Sequence, residues 1–387
     1  MHRFSKRLLI ALLSILIAFV GISVSPVMPD DKYADEYKES HYYCELSHAQ
    51  QANYAAIYNA VVDGFDKNET IEYNNGSLTV GINISFPIQL NTYKEAKEIF
   101  TAFWRDNPQF FFVDNRYVIR YFTLFGRQIY NGISIFYSMD AAERARADRA
   151  LDRVVNSIIE ELPDTKDEYI KEYRLHDALI SRCEYSKVDN PPKSIYSAYG
   201  ALVEKSAVCE GYARAMQLLL SRVGIRSSLI SGRSAEDGVG HIWNLVTING
   251  RKYHLDPTWN DIDGLPRHVF FNCTNEQIRN THIIDKHFSA VMCQDTEDNY
   301  YTRNCLYLES ADEDALIKVI SGELIYRQDC IELKFSPDVY KQAQEFLADT
   351  EHVHHLVNIE IYFSNYIMWH YTLYSYDDSY VLCLQRR

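Results

Sequence analysis

Basic residues are in short supply in this sequence. The 387 residues include 39 Lys and Arg against 53 Asp and Glu, so the formal net charge is -14. Because nucleic-acid binding needs a basic surface, this balance argues against a nucleic-acid partner. The eight cysteines include no Cys-x-x-Cys pair. A zinc ribbon or thioredoxin-like motif is therefore not indicated, although some cysteines could form disulfides in an exported protein.

The N-terminus has the pattern of an export segment. Three basic residues within positions 3–7 precede an almost unbroken apolar run at 8–24. The run is long for a cleaved signal peptide and slightly short for a membrane span. We predict that residues 1–25 are a signal peptide or, as we favour, an N-terminal membrane anchor. The body of the protein is then extracytoplasmic, either membrane-anchored or secreted.

Apolar patterns divide the rest of the chain into four regions. Both outer regions follow the order strand, helix, strand, strand, and a short sequence echo (ISFP with YKEAKE, LKFSP with YKQAQE) leaves open whether one module is duplicated. In the last region the predicted strands include 356–363 and 367–376. The predicted regions are a tether at 26–40, an N-terminal α+β accessory region at 41–163, a central domain at 164–300 and a C-terminal α+β accessory region at 301–387.

A cysteine begins the strongest amphipathic helix of the central region. The pattern predicts a helix over 207–223, with Ser206 as its cap and Gly224 as its stop. Cys209 then lies in the first turn, where unpaired amides carry partial positive charge and favour a thiolate. The same amides could donate hydrogen bonds to an oxyanion. For any single cysteine, a buried apolar role is the alternative.

A predicted hairpin brings a histidine and an aspartate together. The Asn-Gly pair at 249–250 predicts a two-residue turn between two strands. This register places Trp243 opposite Asp256, and His241 then becomes the diagonal neighbour of Asp256. Such a pair could take the proton of a thiol and hold the tautomer of the imidazole. His254 lies on the same face, and geometry alone leaves it open as the base.

Three short motifs resemble those of the transglutaminase-like superfamily, of the bacterial cell-surface type. AVCEGYA at 207–213 is similar to its nucleophile motif, HIWN at 241–244 to its histidine motif and LDPTW at 255–259 to its aspartate motif. The likeness covers roughly residues 165–275. It implies an α+β fold with a papain-like core, in which the nucleophile helix packs against an antiparallel sheet, flanked by smaller α+β regions.

The resemblance also implies a catalytic triad of Cys209, His241 and Asp256, and it selects His241 over His254. We expect no cofactor and no metal, since the histidine cluster of His352, His354 and His355 has no cysteine or carboxylate ligands at recognisable spacing. Papain-like enzymes often place a glutamine before the nucleophile, but none occurs between residues 164 and 209.

Three aromatic residues are candidates for the remaining functions of the site. Tyr196 and Tyr199 are candidate hydroxyl donors to the oxyanion, and Trp243 is a candidate substrate-positioning residue. A packed aromatic before the helix is the alternative for both tyrosines.

The expected reaction is acyl transfer or hydrolysis of a peptide or carboxamide bond through a thioester. The expected partners are a protein or peptide substrate, with wall peptide as one option, and the membrane through the N-terminal segment. The alternative is a catalytically idle surface binding or scaffold protein that retains the fold. The two differ in whether Cys209 is needed for function.

Overall fold

The computed structural model describes residues 33–72, 78–262, 265–266, 268–288, 290–324, 330–362 and 370–386. The predicted anchor at 1–25 and the start of the tether lie outside the described residues. Within these ranges, no helix combines the length and apolar character that a membrane crossing needs.

The N-terminal module (residues 33–160) is a four-stranded sheet covered by helices. Its strands lie in the order β1-β2-β4-β3, and α3 packs on β2. Capping boxes start α4 at Thr92 and α5 at Asp140, since each side chain accepts the N–H three residues on. The helices are α1 (Ala34–Tyr37), α2 (His41–Glu45), α3 (His48–Asp63), α4 (Tyr93–Asp106) and α5 (Ala141–Glu160). The strands are β1 (Thr70–Glu72), β2 (Leu78–Leu90), β3 (Val113–Leu124) and β4 (Arg127–Tyr137).

Part of the predicted tether packs on this module. Tyr37 of α1 is 1% exposed, and its ring lies 4.7 Å from the ring of Tyr58 and 5.2 Å from that of Tyr54, both on α3. Aromatic rings at such distances stabilise the packing beyond the area they bury. Tyr37 is therefore part of the hydrophobic core of the N-terminal module, although it lies within the segment 26–40 that the sequence predicts as a tether.

The central domain (residues 168–299) packs one helix against an antiparallel sheet. The sheet order is β12-β7-β8-β9, and α7 contacts β7 and β8. The predicted α+β class with a papain-like core is thus confirmed. The helices are α6 (Glu168–Ile180), α7 (Cys209–Arg222), α8 (Pro257–Asn260) and α9 (Asn275–Ile278), with short helical turns at Lys193–Tyr196, Gly200–Glu204 and Lys286–Phe288. The strands are β5 (Glu184–Tyr185), β6 (Ser206–Ala207), β7 (Ser227–Ser234), β8 (Gly240–Ile248), β9 (Arg251–Leu255), β10 (Asp261–Ile262), β11 (Leu265–Pro266) and β12 (His282–Ile284).

The boundaries of α7 differ from the prediction at one end. Ser206 does not cap the helix, because β6 pairs with β5 and keeps the chain extended up to Val208, the residue before the helix. Cys209 is therefore the first helical residue. At the other end Gly224 has φ +79°, a left-handed conformation that ends the helix as predicted.

The β8–β9 hairpin has the predicted register. Asn249 and Gly250 have φ values of 51° and 80°, as a two-residue turn of this kind requires. Ile248 pairs with Arg251, and the register holds out to Asn244 opposite Leu255. If this register is continued by one residue, Asp256 lies opposite Trp243, on the face of β8 that also carries His241.

The C-terminal module (residues 300–386) contains a further four-stranded sheet, in the order β13-β14-β16-β15. The predicted strand at 356–363 is wrong, because residues up to 362 belong to a helix. Val353 and Val357, one turn apart, are both fully buried on the face that packs towards α11. The helices are α10 (Tyr300–Arg303), α11 (Glu313–Glu323), α12 (Pro337–Ala348) and α13 (Thr350–Tyr362). The strands are β13 (Tyr307–Leu308), β14 (Cys330–Phe335), β15 (Tyr371–Tyr376) and β16 (Val381–Arg386).

The two outer modules share one topology. In each sheet the strands follow the order short edge, inner, far edge and middle, with a helix between the inner and the far edge strand. The C-terminal module has two additional helices, α11 between β13 and β14 and α13 before β15. They differ at the short edge, where β1 is antiparallel to β2 and β13 is parallel to β14. The two similar pairs of sequence stretches lie on equivalent elements. ISFP and YKEAKE lie on β2 and α4, and LKFSP and YKQAQE lie at the end of β14 and on α12. This correspondence supports a duplicated module, while the division of the chain into domains stays a prediction.

A buried charged cluster joins the C-terminal module to the central domain. The ring nitrogens of His268 lie 3.2 Å from Glu332 Oε1 on β14 and 2.9 Å from Asp177 Oδ1 at the end of α6. Tyr301 Oη donates to the other oxygen of Glu332 at 2.9 Å. Although burial opposes the charged form, the charge of Glu332 and hydrogen bonds to both carboxylates raise the pKa of His268 to about 9.

This cluster predicts a loss of stability at alkaline pH. A raised histidine pKa contributes stability that is complete below the unfolded value of about 6.5 and disappears as pH rises through about 9. We expect the free energy of unfolding to fall by on the order of 2 kcal/mol more in the wild type than in His268→Gln between pH 6 and 10. Denaturant titrations at both pH values measure the difference. His352→Gln, an exposed control on α13, should behave like the wild type. Equal pH dependence in His268→Gln and the wild type would contradict the assignment.

Candidate active site

Cys209 stands at the start of α7 with part of its surface exposed. The first amide bonded within this turn is that of Tyr212, which donates to the carbonyl of Val208. The amides of residues 209–211 precede it, so they belong to the helix end that carries partial positive charge. These amides, on Cys209 and the two residues after it, are donors suited to a developing negative charge.

The first turn of α7 fits only because residue 211 is glycine. A Cβ at Gly211 would lie 2.3 Å from the carbonyl oxygen of Ile195 and 2.8 Å from the Cβ of Ala207. Such distances are too short for any side chain without a backbone shift. The glycine of the nucleophile motif therefore lets the start of α7, which carries Cys209, approach the Lys193–Tyr196 turn closely.

His241, at the beginning of β8, faces Asp256 through one ring nitrogen. Its Nε2 lies 2.7 Å from Asp256 Oδ2, which leaves Nδ1 available to the thiol of Cys209. Burial disfavours the imidazolium, but the charge and hydrogen bond of Asp256, followed by the interaction with Cys209, raise the pKa of His241 to about 10. The amide of Asn244 donates to the carbonyl of Ala213 at 2.9 Å and ties β8 to α7.

Asp256 is completely buried and accepts four hydrogen bonds. Oδ1 accepts the amides of Thr258 (3.0 Å) and Trp259 (3.4 Å) and thereby caps α8. Oδ2 accepts from His241 and, at 3.0 Å, from His282 Nε2. Burial alone would raise its pKa, yet the charge of His241 and the two imidazole hydrogen bonds hold the pKa of Asp256 well below the ordinary range.

His282 is the residue that sequence reasoning missed. It lies on β12, fully buried, with its Nδ1 2.8 Å from Thr281 Oγ1 and its ring 4.2 Å from that of Trp259. It is separated from Asp256 by 26 residues and belongs to no motif. Only the pairing of β12 with β7 brings it to the site, and no local pattern in the sequence reports that pairing.

His254, the alternative base, is engaged elsewhere. Its Nδ1 lies 3.1 Å from Trp243 Nε1, which can only donate, so Nε2 carries the proton and donates to Asn275 Oδ1 at 3.0 Å. Burial lowers the pKa of His254 to about 4 and favours this neutral form. Trp243 is fully buried and stacks on His241 at 5.7 Å, so it reaches a substrate only through that ring.

The candidate tyrosines take different places. Burial, followed by the charges of Cys209 and Asp256, raises the pKa of Tyr185, which the sequence did not single out. Tyr196 contributes to the same shift in the pKa of Tyr185. Tyr199 instead stacks on Phe111 of the N-terminal module, with ring centroids 5.2 Å apart. The role of any tyrosine as an oxyanion donor stays a prediction.

A cleft of about 940 Å³ adjoins this region. Tyr196 and Tyr199 line one side, and Trp104 and Asp114 of the N-terminal module line the other. Tyr196 belongs to the Lys193–Tyr196 turn, which the start of α7 approaches at Gly211. Arg214 of α7 also lines the cleft, which therefore borders the helix that carries Cys209.

Among the described residues, two groups of side chains bring potential metal-binding atoms within 4.8 Å of one another. Hydrogen bonds already engage the facing atoms in each group, including one between His176 Nδ1 and Asp177 Oδ1 at 3.1 Å. The prediction of no metal and no cofactor stays a prediction. The groups are His241, Asp256 and His282 at the site, and His176, Asp177 and His268 beside the C-terminal module.

Comparison with known proteins finds a family model that matches part of the chain. Residues 156–257, about a quarter of the chain, match the model of the transglutaminase-like superfamily. A search of curated proteins finds no match.

Solved structures with some similarity include a TGase, at 15% identity over 36% of this chain and 43% of that chain, with a TM-score of 0.26. A candidate cysteine protease from Cytophaga hutchinsonii has 14% identity over 46% and 71% of the two chains, with a TM-score of 0.27. A candidate protease from Parabacteroides distasonis has 12% identity over 36% of each chain and a TM-score of 0.23. This chain thus spans less than half of the TGase.

Proposed function

We infer, from the transglutaminase-like superfamily domain formed by residues 156–257, that this chain is a cysteine enzyme that cleaves or transfers acyl groups. The observation that carries the proposal is the short hydrogen bond between His241 and Asp256 beside the partly exposed thiol of Cys209. A thiol, an imidazole and a carboxylate in this order are what nucleophilic acyl transfer needs.

The proposed reaction begins with proton transfer from the thiol of Cys209 to Nδ1 of His241. The thiolate attacks the carbonyl carbon of a peptide or carboxamide, and the oxygen gains a negative charge next to the amides at the start of α7. His241 then returns the proton to the leaving amine, and a thioester remains on Cys209. Water or a second amine attacks the thioester, gives its proton to His241 and releases the enzyme.

The electrostatics of the site support this sequence of steps. Asp256 stays ionised in its buried position and favours the protonated form of His241. The imidazolium is therefore stabilised at the moment when the thiolate forms. His282 Nε2 lies 3.0 Å from the same carboxylate oxygen and helps to hold it in place.

The proposed substrate is a protein or peptide, with wall peptide as one option. The cleft lined by Tyr196 and Trp104 supports this proposal, because its volume of about 940 Å³ can hold a peptide segment beside α7. The apolar N-terminal run at 8–24 supports action outside the cytoplasmic membrane, with the chain anchored or secreted. The attacking group decides between peptidase and cross-linking activity.

Selective alkylation tests the proposal. We expect iodoacetamide at pH 6.5 to modify Cys209 at least about tenfold faster than the exposed Cys44, because the thiolate is the reactive species. Burial and nearby carboxylates raise the pKa of Cys44, which makes it a slow internal reference. Peptide mass spectrometry gives both rates from one sample. His241→Ala should lower the rate at Cys209 and leave that at Cys44 unchanged.

Equal rates at the two cysteines, or no effect of His241→Ala, would remove the chemical basis of the enzyme. The chain would then be an idle binding or scaffold protein that keeps the fold. His352→Gln provides a matched control, since it removes an exposed imidazole far along the chain on α13. Its alkylation pattern should equal that of the wild type.

A further inference from the structure

A second cleft, of about 1050 Å³, lies between the central domain and the C-terminal module. Its lining includes Phe270 of the central domain and Phe335 at the end of β14. Arg279 and Glu276, both exposed, stand at the rim. The cleft is distinct from the one that Tyr196 lines.

Lys334 is one of the residues that line this cleft, and its side chain is almost completely buried. It follows Glu332 by two positions on β14, so both side chains point towards the central domain. Glu332 is matched by His268 and Tyr301, whereas Lys334, only 6% exposed, has no carboxylate and no hydrogen-bond acceptor among the described residues. Its ammonium nitrogen lies 5.4 Å from the centre of the Tyr301 ring.

Two other buried cations among the described residues have acceptors or a counter-charge. Arg144, fully buried, donates to the carbonyls of Phe65, Lys67 and Met139. Arg214 pairs with Glu210 at 2.8 Å. A buried cation is disfavoured when it has neither a counter-charge nor an acceptor. Among the described residues Lys334 has only the face of the Tyr301 ring, so an anion in the cleft would supply the counter-charge that it lacks.

The surroundings of Lys334 indicate what that partner is. Cys273 is the near ionisable group, and burial raises the pKa of its thiol to about 11, so it is neutral and offers no counter-charge. Burial lowers the pKa of Lys334 itself, which an anion would reverse. One ammonium matches one negative charge, and the Phe270 and Phe335 walls suit an apolar body.

We propose that this cleft binds a small organic carboxylate, with its carboxylate on Lys334 Nζ and its apolar part between Phe270 and Phe335. The ligand completes the only pairing that β14 leaves open towards the central domain among the described residues. The site is independent of the proposed enzymatic function, since it uses neither Cys209 nor His241.

Titration of the full-length protein with hexanoate tests the proposal. We expect saturable binding by calorimetry, with hexanamide, its neutral analogue, binding at least about tenfold more weakly. Lys334→Met keeps the length and apolar stem of the side chain and removes its charge. This variant should bind hexanoate at least about tenfold more weakly than the wild type.

A second measurement on the wild type covers the case in which Lys334→Met does not fold. Reductive methylation of Lys334, followed by peptide mass spectrometry, should slow when hexanoate is present and not when hexanamide is present. The proposal is overturned by the absence of saturable hexanoate binding, by equal affinity for the amide, or by a methylation rate that hexanoate leaves unchanged. Lys318→Met, on α11, is the matched control for the affinity measurements and should bind like the wild type.

Discussion

Replacing Cys209 by alanine is expected to lower acyl transfer by at least about 10⁴-fold, since no other group at the site can form the thioester. The side chain is partly exposed at the first position of α7, so its loss leaves no large cavity. The fold should therefore survive. Hydroxamate formation from casein with hydroxylamine as acceptor measures the transfer, and circular dichroism with thermal unfolding checks the fold.

Cys44→Ala is the matched control for this experiment. Cys44 is also exposed, on α2, but it belongs to the N-terminal module rather than the site. Its removal should leave the rate within about twofold of the wild type, as surface substitutions usually do. Retention of full activity by a folded Cys209→Ala protein would show that this thiol is not the nucleophile.

Replacing Asp256 by alanine is expected to damage both activity and stability. The change removes the acceptor for His241 and His282 and for the two amides that start α8. Loss of one partner from a buried charged network lowers stability by about 3–5 kcal/mol. Loss of the imidazole's orientation should lower the rate by on the order of 10²–10⁴-fold. Denaturant unfolding and the hydroxamate assay measure the two effects separately.

Asp256→Asn separates orientation from charge. An asparagine keeps one oxygen as an acceptor and the size of the side chain, so we expect stability closer to the wild type than in Asp256→Ala. The pKa of His241, held at about 10 mainly by the charge of Asp256, should fall towards its ordinary value. NMR titration of the imidazole follows this shift. An unchanged pKa of His241 in Asp256→Asn would contradict the proposed electrostatic role.

The parts of the site that the sequence predicts are those set by local rules. The turn at Asn249 and Gly250 fixes the register of the hairpin, and that register alone brings His241 next to Asp256. The amphipathic pattern likewise fixes α7 to within a few residues and places Cys209 at its start. Both inferences depend on neighbours in the chain, where backbone geometry leaves few alternatives.

The parts that the sequence did not predict depend on distant contacts. Ser206 is a good cap by residue type, but pairing of β6 with β5 keeps it extended. His282 reaches Asp256 only because β12 joins the far edge of the sheet. Residues 356–363 alternate like a strand, yet packing of Val353 and Val357 makes most of them helical. In each case, contacts between residues that are distant in the sequence outweigh a local conformational preference.

One hydrophobic core includes residues of all three regions, and this affects which fragment of the chain can be expressed on its own. An expressed piece limited to residues 164–300 would carry every motif, and yet Arg214 would lose the Trp104 carbonyl that it reaches at 2.8 Å. His268 would lose Glu332, one of the two carboxylates that its ring nitrogens face. Such a fragment would expose apolar faces that are buried in the intact chain and would tend to aggregate. Cloning from residue 33 through the last strand, β16, avoids both cuts.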